Sequence, residues 1–313
     1  MLSYIGRRIA ATLPVMGVVA VVVFALLHLS PGDPAAVIAG DHATVAEVEK
    51  VRAQLGLDRP LPVQFVGWIA DVVRGDLGVS IYNNQPVATM ILQRAEPTLA
   101  LALCTLIVAL AGAIPLGVIA AWKAGTWIDR LIMGFAVLGF SFPVFVIGYG
   151  LIYLLALQLE LLPVQGYSPL KAGFLSFLSH MVMPSLALGW VLMALFARMT
   201  RTSMLEVLSQ DYIRTAHAKG LSQARVLALH ALKNATVPIV TTIGVGLTLL
   251  ISGVVITESV FALPGLGRLT ADAVLQRDYS IIQGVILMFS AAYVLVNLLV
   301  DVSYTFLDPR IRY

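Results

Sequence analysis

Apolar residues come in long runs along this chain, and polar residues collect in the gaps between them. Six runs, near 9–29, 97–121, 131–157, 180–200, 238–262 and 281–307, reach the roughly 20 residues of helix that cross a bilayer. They lack the period-two alternation of a membrane barrel. The pattern therefore predicts an all-α integral membrane fold of six transmembrane helices. Pro14, Pro115, Pro143 and Pro184 fall inside four of the runs, and kinks are expected there, because neighbouring helices can satisfy the freed carbonyls. Arg7 and Arg8 precede the first run as they would in a signal peptide. That run is long for such a segment, and "HLSPGDP" follows where a small-residue cleavage site should be. A retained helix is expected.

Two gaps have content of their own. In segment 30–96, "TVAEVEKVRAQLG" opens with Thr44 and Glu47 at capping-box spacing. Val45, Val48, Val51 and Leu55 then recur at helical intervals. "PVQFVGWIADVVRG" gives a second short helix, so 30–96 reads as a small helical cap. In segment 201–236, residues 203–218 can form one helix with Leu205, Leu208, Tyr212 and Ala216 close to one face. Gly220 suits the left-handed position that ends a helix, and Ser222 suits an N-cap. A second helix is expected through "ARVLALHALKN" toward Pro238.

Composition agrees with the runs: 59% of the 313 residues are hydrophobic and 12% charged, against about half and a quarter in soluble domains. A single cysteine, Cys104, excludes a disulfide within the chain. Charge sets the orientation. With the N-terminus inside, the inner segments hold Arg7, Arg8, Lys123, Arg130, Arg198, Arg201, Arg214, Lys219, Arg225, Lys233, Arg310 and Arg312. Only Asp129, Glu206, Asp211 and Asp308 oppose them, while the outer segments hold eight basic and eleven acidic residues. This is the positive-inside bias. It places both termini and 201–236 in the cytoplasm and makes 30–96 an extracytoplasmic cap.

Three readings fit 201–236: a solvated basic loop, a DNA-binding helix-turn-helix, or a docking element for a cytoplasmic partner. Tethering at both ends leaves a recognition helix no clear route into a groove, so no nucleic-acid partner is expected. Further residues favour docking. "RTAHAKG" followed by "LKNATVP" resembles the coupling-loop motif of permease subunits in ATP-binding cassette importers, in which Glu-Ala-Ala, three residues and Gly precede a distal apolar residue and Pro. Arg214, Thr215 and Ala216 take the first three places and Gly220 the fourth; Arg214 departs from the glutamate, and the spacing to Pro238 is stretched. "RMTRTSMLEVLSQDYIRTAHAKGL", "HLSPGDP", "QLGLDRPLPVQF", "GDLGVSI", "VFALPGLGRL", "QRDYSIIQG" and "NLLVDVSYTFLDPRIRY" are similar to the branch that carries dipeptides, oligopeptides, glutathione and nickel, and the resemblance spans essentially the whole chain.

The resemblance implies a bacterial inner-membrane permease that pairs with a homologous second permease. It also implies two ATPase subunits below, which bind ATP and Mg, and an extracytoplasmic binding protein above. It implies that Tyr212, Arg214, Thr215, Ala216, Lys219 and Gly220 couple ATP hydrolysis to the spans, with Ala216 and Gly220 lying against the ATPase. The sequence supports part of this directly. It holds no G-x-x-x-x-G-K-[ST] phosphate loop, since none of its five lysines follows a glycine. The chain is therefore not expected to be an ATPase or to hold a cofactor of its own.

Intramembrane charges are functional candidates by default. Asp301 suits an interfacial pair with Arg310 or Arg312. Glu258 suits plain interfacial solvation, with a gate or lip contact as the alternative because "PGLGRL" reads as a re-entrant turn. Gly32, Asp33, Pro34, Glu258, Pro264, Gly265 and Gly267 are the candidates for a gate or a binding-protein contact. Thr241, Thr242, Ser252, Thr257, Ser141 and Asn297 could line a polar path, or hydrogen-bond between helices. "GFSFP" at 139–143 offers a serine nucleophile, but no histidine lies mid-span to serve it. The histidines show no metal-ligand spacing with Cys104. A stand-alone secondary transporter is the rival function. It would be expected to show inverted halves and interior carboxylate pairs, neither of which is evident.

Overall fold

The computed structural model describes residues 2–29, 35–36, 43–54 and 56–307. Gly32, Asp33 and Pro34, and the expected partners of Asp301, lie outside the described residues. Among the described residues every regular element is helical, and the one extended pairing is an isolated bridge between Val79 and Pro86. The all-α expectation holds. In chain order the helices are α1 (Leu2–Leu29), α2 (Val45–Gln54), α3 (Leu61–Val73), α4 (Val87–Trp122), α5 (Trp127–Ser141) and α6 (Val144–Leu151). A π-helix, Ile152–Gln158, continues α6. Then come α7 (Phe174–Leu208), α8 (Asp211–Ala218), α9 (Gln223–Val260), α10 (Leu266–Gln276) and α11 (Tyr279–Leu307).

Helices α1, α4, α7, α9 and α11 are long and apolar enough to cross a membrane, and α5 with α6 and its π-helix qualifies as a pair bent by 102°. The run at 131–157 is therefore two helices rather than one kinked span. Pro143 is the cause: the residue before a proline is pushed out of the helical region, and Phe142 is extended at φ −102°, ψ 133°. Pro14, Pro115 and Pro184 stay inside continuous helices, as does Pro238 in α9.

Two further departures concern segment 201–236. The helix expected over 203–218 is broken: α7 ends at Leu208, Gln210 is extended, and α8 starts afresh at Asp211. The second helix does not stop near Pro238. It runs from Gln223 through a π-helical stretch, Val226–Leu232, into α9.

The chain folds as two compact units, Met1–Arg94 with Leu269–Val294, and Ala95–Arg268 with Leu295–Tyr313. In the first unit, Ala20 and Val23 of α1 and Leu287 of α11 form a small core, packed by Phe65, Trp68, Ile69 and Val72 of α3. The capping box forms as expected: Thr44 N–H donates to Glu47 Oε2 at 2.7 Å, and Glu47 N–H to Thr44 Oγ1 at 3.4 Å. The Thr44 N–H and then the Thr44 hydroxyl, which also donates to Oε2 at 2.8 Å, hold the Glu47 carboxyl below the usual carboxylate range.

The second unit is built around α7, the most buried of the spans. Its core joins Leu188, Leu192 and Phe196 of α7 to Leu101 of α4, Leu250 and Val254 of α9, and Phe261. Small residues let the helices touch. A Cβ on Gly117 would stand 2.8 Å from the Ala197 carbonyl oxygen, and one on Gly246 would enter the Phe196 ring.

Candidate functional site

Segment 209–222 is the first candidate, and α8 is its centre. Two turns of helix are far too short to be stable alone, so α8 depends on what closes its end and what it rests on. Its end is closed by a Schellman turn. Gly220 N–H donates to the His217 carbonyl at 2.9 Å and Leu221 N–H to the Ala216 carbonyl at 3.3 Å. That geometry needs a left-handed residue, and Gly220 supplies it at φ +78°.

The base of α8 is an apolar cluster. Ile213 and Ala216 are buried with Met204 of α7, Ala121 of α4, and Val226, Ala231, Ala235 and Ile239 of α9. Ala216 faces its own core, on the side expected for it with Leu205 and Leu208, while Tyr212, expected on that same face, is exposed. The spacing explains the shared burial: Ile213 and Ala216 are three residues apart and share one face. The outward face holds Tyr212, Arg214, Thr215 and Lys219, all exposed, and Gly220 is exposed with open space where a side chain would stand. Arg214 reaches Asp211 at 3.4 Å, and both side chains are largely in solvent, so the pair contributes little.

A second lock lies close to α8 in sequence. Arg201 of α7 grips Asp129 of α5 with two bonds, Nε to Oδ1 at 2.6 Å and Nη2 to Oδ2 at 2.7 Å. Asp129 is buried, and Gly125 N–H donates to it at 3.0 Å. The fork-on-fork geometry is the strong form of this pair. Helix α7, whose end leads into α8, is thus fastened to α5.

The second candidate is the turn after α9. Glu258 is fully buried, which overturns the expectation of interfacial solvation. Thr98 Oγ1 donates to Glu258 Oε1 at 2.5 Å and accepts the Leu266 N–H at 2.8 Å. Arg268 N–H donates to Glu258 Oε2 at 2.9 Å. Glu258 and Thr98 therefore cap the first turn of α10 from two other helices. A carboxylate is favoured at a helix N-terminus, and these donors make its burial tolerable. Gly265 and Gly267 are buried against it: a Cβ on Gly265 would enter the Glu258 carboxylate, and one on Gly267 would stand 2.6 Å from the Val255 Cα. Pro264 alone of this turn's candidates is exposed. The preceding helix end is capped too, with the Val260 carbonyl accepting Gln165 Nε2 at 3.1 Å and the Phe261 carbonyl accepting Gly166 N–H at 2.9 Å. Nearby, Tyr167 donates to Glu96 at 3.0 Å. Burial and that bond push its phenol up to about 12, so it stays protonated.

Sequence reasoning missed Thr98 and the Asp129–Arg201 pair. It also missed Asp278, which in the first unit caps α11 by accepting Ile281 N–H at 3.3 Å and holds Ser80 Oγ at 2.6 Å and Ile81 N–H at 3.1 Å. Only the N-cap half of that role had a local signal, an Asp just before an apolar run. Of the six residues suggested for a polar path, four donate within their own helices: Thr241, Thr242, Thr257 and Ser141 each reach the carbonyl four residues back.

The fold defines a multi-span helical membrane protein with a short capped helix set between two long spans. Residues 113–313 match the family described as binding-protein-dependent transport system inner membrane component, and residues 1–102 match its N-terminal companion. The chain is 51% identical over 310 residues, 99% of each chain, to a probable peptide ABC transporter permease protein, y4tP, of Sinorhizobium fredii. It is 44% identical over 313 residues, the whole of each chain, to the glutathione transport system permease protein GsiC of Escherichia coli K12. A solved structure of the MetNI methionine ABC transporter in inward-facing conformations aligns with a TM-score of 0.58 at 16% identity, over 70% of this chain and 96% of that one. At that identity the likeness speaks for the fold. The chain belongs to this inner membrane component family. It is a permease subunit of an ATP-driven bacterial importer, the membrane part and not the ATPase. Membership implies ATPase subunits, where ATP and Mg act, and a membrane partner.

Proposed function

We propose that this permease forms, with a homologous second permease, the path by which short peptides enter the cell. Dipeptides, glutathione and oligopeptides are the substrate class, supported by the names of the relatives above. An extracytoplasmic binding protein delivers them, and two ATPase subunits drive the cycle. The positive-inside count supports cytoplasmic N- and C-termini, with 30–96 as an outer cap and 201–236 as the coupling loop. Exposed Pro264 is a contact for that binding protein, Gly32, Asp33 and Pro34 are candidates for the same role on the sequence alone, and Glu258, Gly265 and Gly267 act by holding the mouth of the path in shape.

The observation that carries the reading is α8. One side, Ile213 and Ala216, is sunk in a cluster shared by α4, α7 and α9; the other, Tyr212, Arg214, Thr215 and Lys219, is exposed. A partner that grips the outer face pushes on three spans through the inner one, and Gly220 fixes the angle at which the face is presented. The test is purification from the native membrane in mild detergent, with mass spectrometry of what comes along. Two ATPases and a second permease are expected. A chain that arrives alone and stays folded sinks the coupling role and brings secondary transport forward.

A further inference from the structure

We propose that α3 is not part of a cap standing clear of the membrane but an interfacial helix, lying along one leaflet with lipid acyl chains against its Val63–Val66–Ala70–Val73 flank. The packing sets its depth. The unbroken apolar run of α1 ends at Leu27, before His28, and α3 packs on Val19, Ala20, Val23 and Phe24 below that end. At about 1.5 Å of rise per residue, those contacts run from about 5 to about 12 Å inside the span. That is the zone an amphipathic interfacial helix occupies.

The three faces of α3 agree with this placement. At about 100° per residue, Phe65, Trp68, Ile69 and Val72 form the face packed against α1 and α11. On one side of it lie Gln64, Gly67 and Asp71. They border a cavity of about 300 Å³ with Arg59 and Phe24, which is nearer the end of α1 than Val19, Ala20 and Val23. On the other side lie Val63, Val66 and Val73, which are 51%, 66% and 81% exposed. The helix therefore turns a polar flank toward the end of α1 and an apolar flank away from it. A helix immersed in water would leave three valines bare for no gain. The exposed apolar residues of α1, Leu13, Val18 and Val22 among them, extend the same oily surface, and a span meets lipid by necessity.

The test uses the complete importer in liposomes, with Cys104→Ala as background and nitroxide labels at Val66→Cys, Val73→Cys and, on the polar flank, Asp71→Cys. Collision rates with oxygen, which concentrates in lipid, are compared with those of a water-soluble nickel chelate. At positions 66 and 73 oxygen is expected to exceed the chelate severalfold, and at 71 the order reverses. A chelate rate at 66 and 73 matching that at 71 overturns the proposal. Protection from both probes overturns it as well, because a protein surface would then cover the flank. All three positions are exposed, and agreement between 66 and 73 guards against one distorted label.

Discussion

Gly220 and Gly265 each sit where the chain reverses beside a short helix, yet they need glycine for opposite reasons. At Gly220 the backbone is left-handed and nothing lies near a would-be Cβ. The constraint is conformational, and space is plentiful. At Gly265 the space is gone, because the Glu258 carboxylate occupies it. One turn is a capped knob with a free outer face; the other is a knot of buried polar bonds. The difference teaches which turn is built to be handled by a partner and which is built to stay put.

The largest expected effect comes from filling the closed turn. Gly265→Ala drives a methyl into a buried carboxylate, and overpacking of this kind costs about 3 kcal/mol; the purified complex is expected to melt well below the wild type. Next is Glu258→Ala, which removes the carboxylate that accepts from the Thr98 hydroxyl and the Arg268 N–H, a loss of about 2 kcal/mol. Glu258→Gln keeps an acceptor oxygen and should lose less, so a thermal series ordered Glu, Gln, Ala checks the hydrogen-bond account. An Ala variant as stable as Gln would contradict it.

The open turn responds differently. Gly220→Val is expected to cost about 1–2 kcal/mol, because a β-branched residue resists the left-handed region. Gly220→Asn, which tolerates that region, should be nearly silent. Amide exchange at Leu221 distinguishes them: the Schellman bond from that N–H frays in the valine variant alone. The smallest effect is at Glu47. Its folded pKa lies below the ordinary 4.5, so the capping box contributes fully above that value and loses its contribution as pH falls through the lowered one. Protection factors in the first turn of α2 should decline over that acid range, and Glu47→Gln should flatten the decline.

The same two turns show how much was legible in the sequence. Gly220 announced itself, since a glycine ending an amphipathic stretch has few other uses. The apolar spans and the Thr44–Glu47 box were equally local signals. The break at Ser209–Gln210 was not, because neither residue is a strong helix breaker and only Asp211, opening α8, marks the restart. Ala216 was rightly grouped with Leu205 and Leu208, but Tyr212 was not, because the break before α8 shifts the helical phase and leaves its ring exposed. Glu258 was read as solvated because its partner Thr98 is 160 residues away. Asp278 and Ser80, 198 residues apart, were missed for the same reason. Pairings of that range leave no periodicity to find.

The central claim is that α8 offers one face to the ATPase and keeps the other for its own spans. The most direct measurement is cysteine cross-linking in the intact complex from adjacent positions, Thr215→Cys and Ala216→Cys. The account predicts cross-links to an ATPase subunit from position 215 and none from 216. Equal yields from both, or none from 215 while the ATPases remain bound, would contradict it.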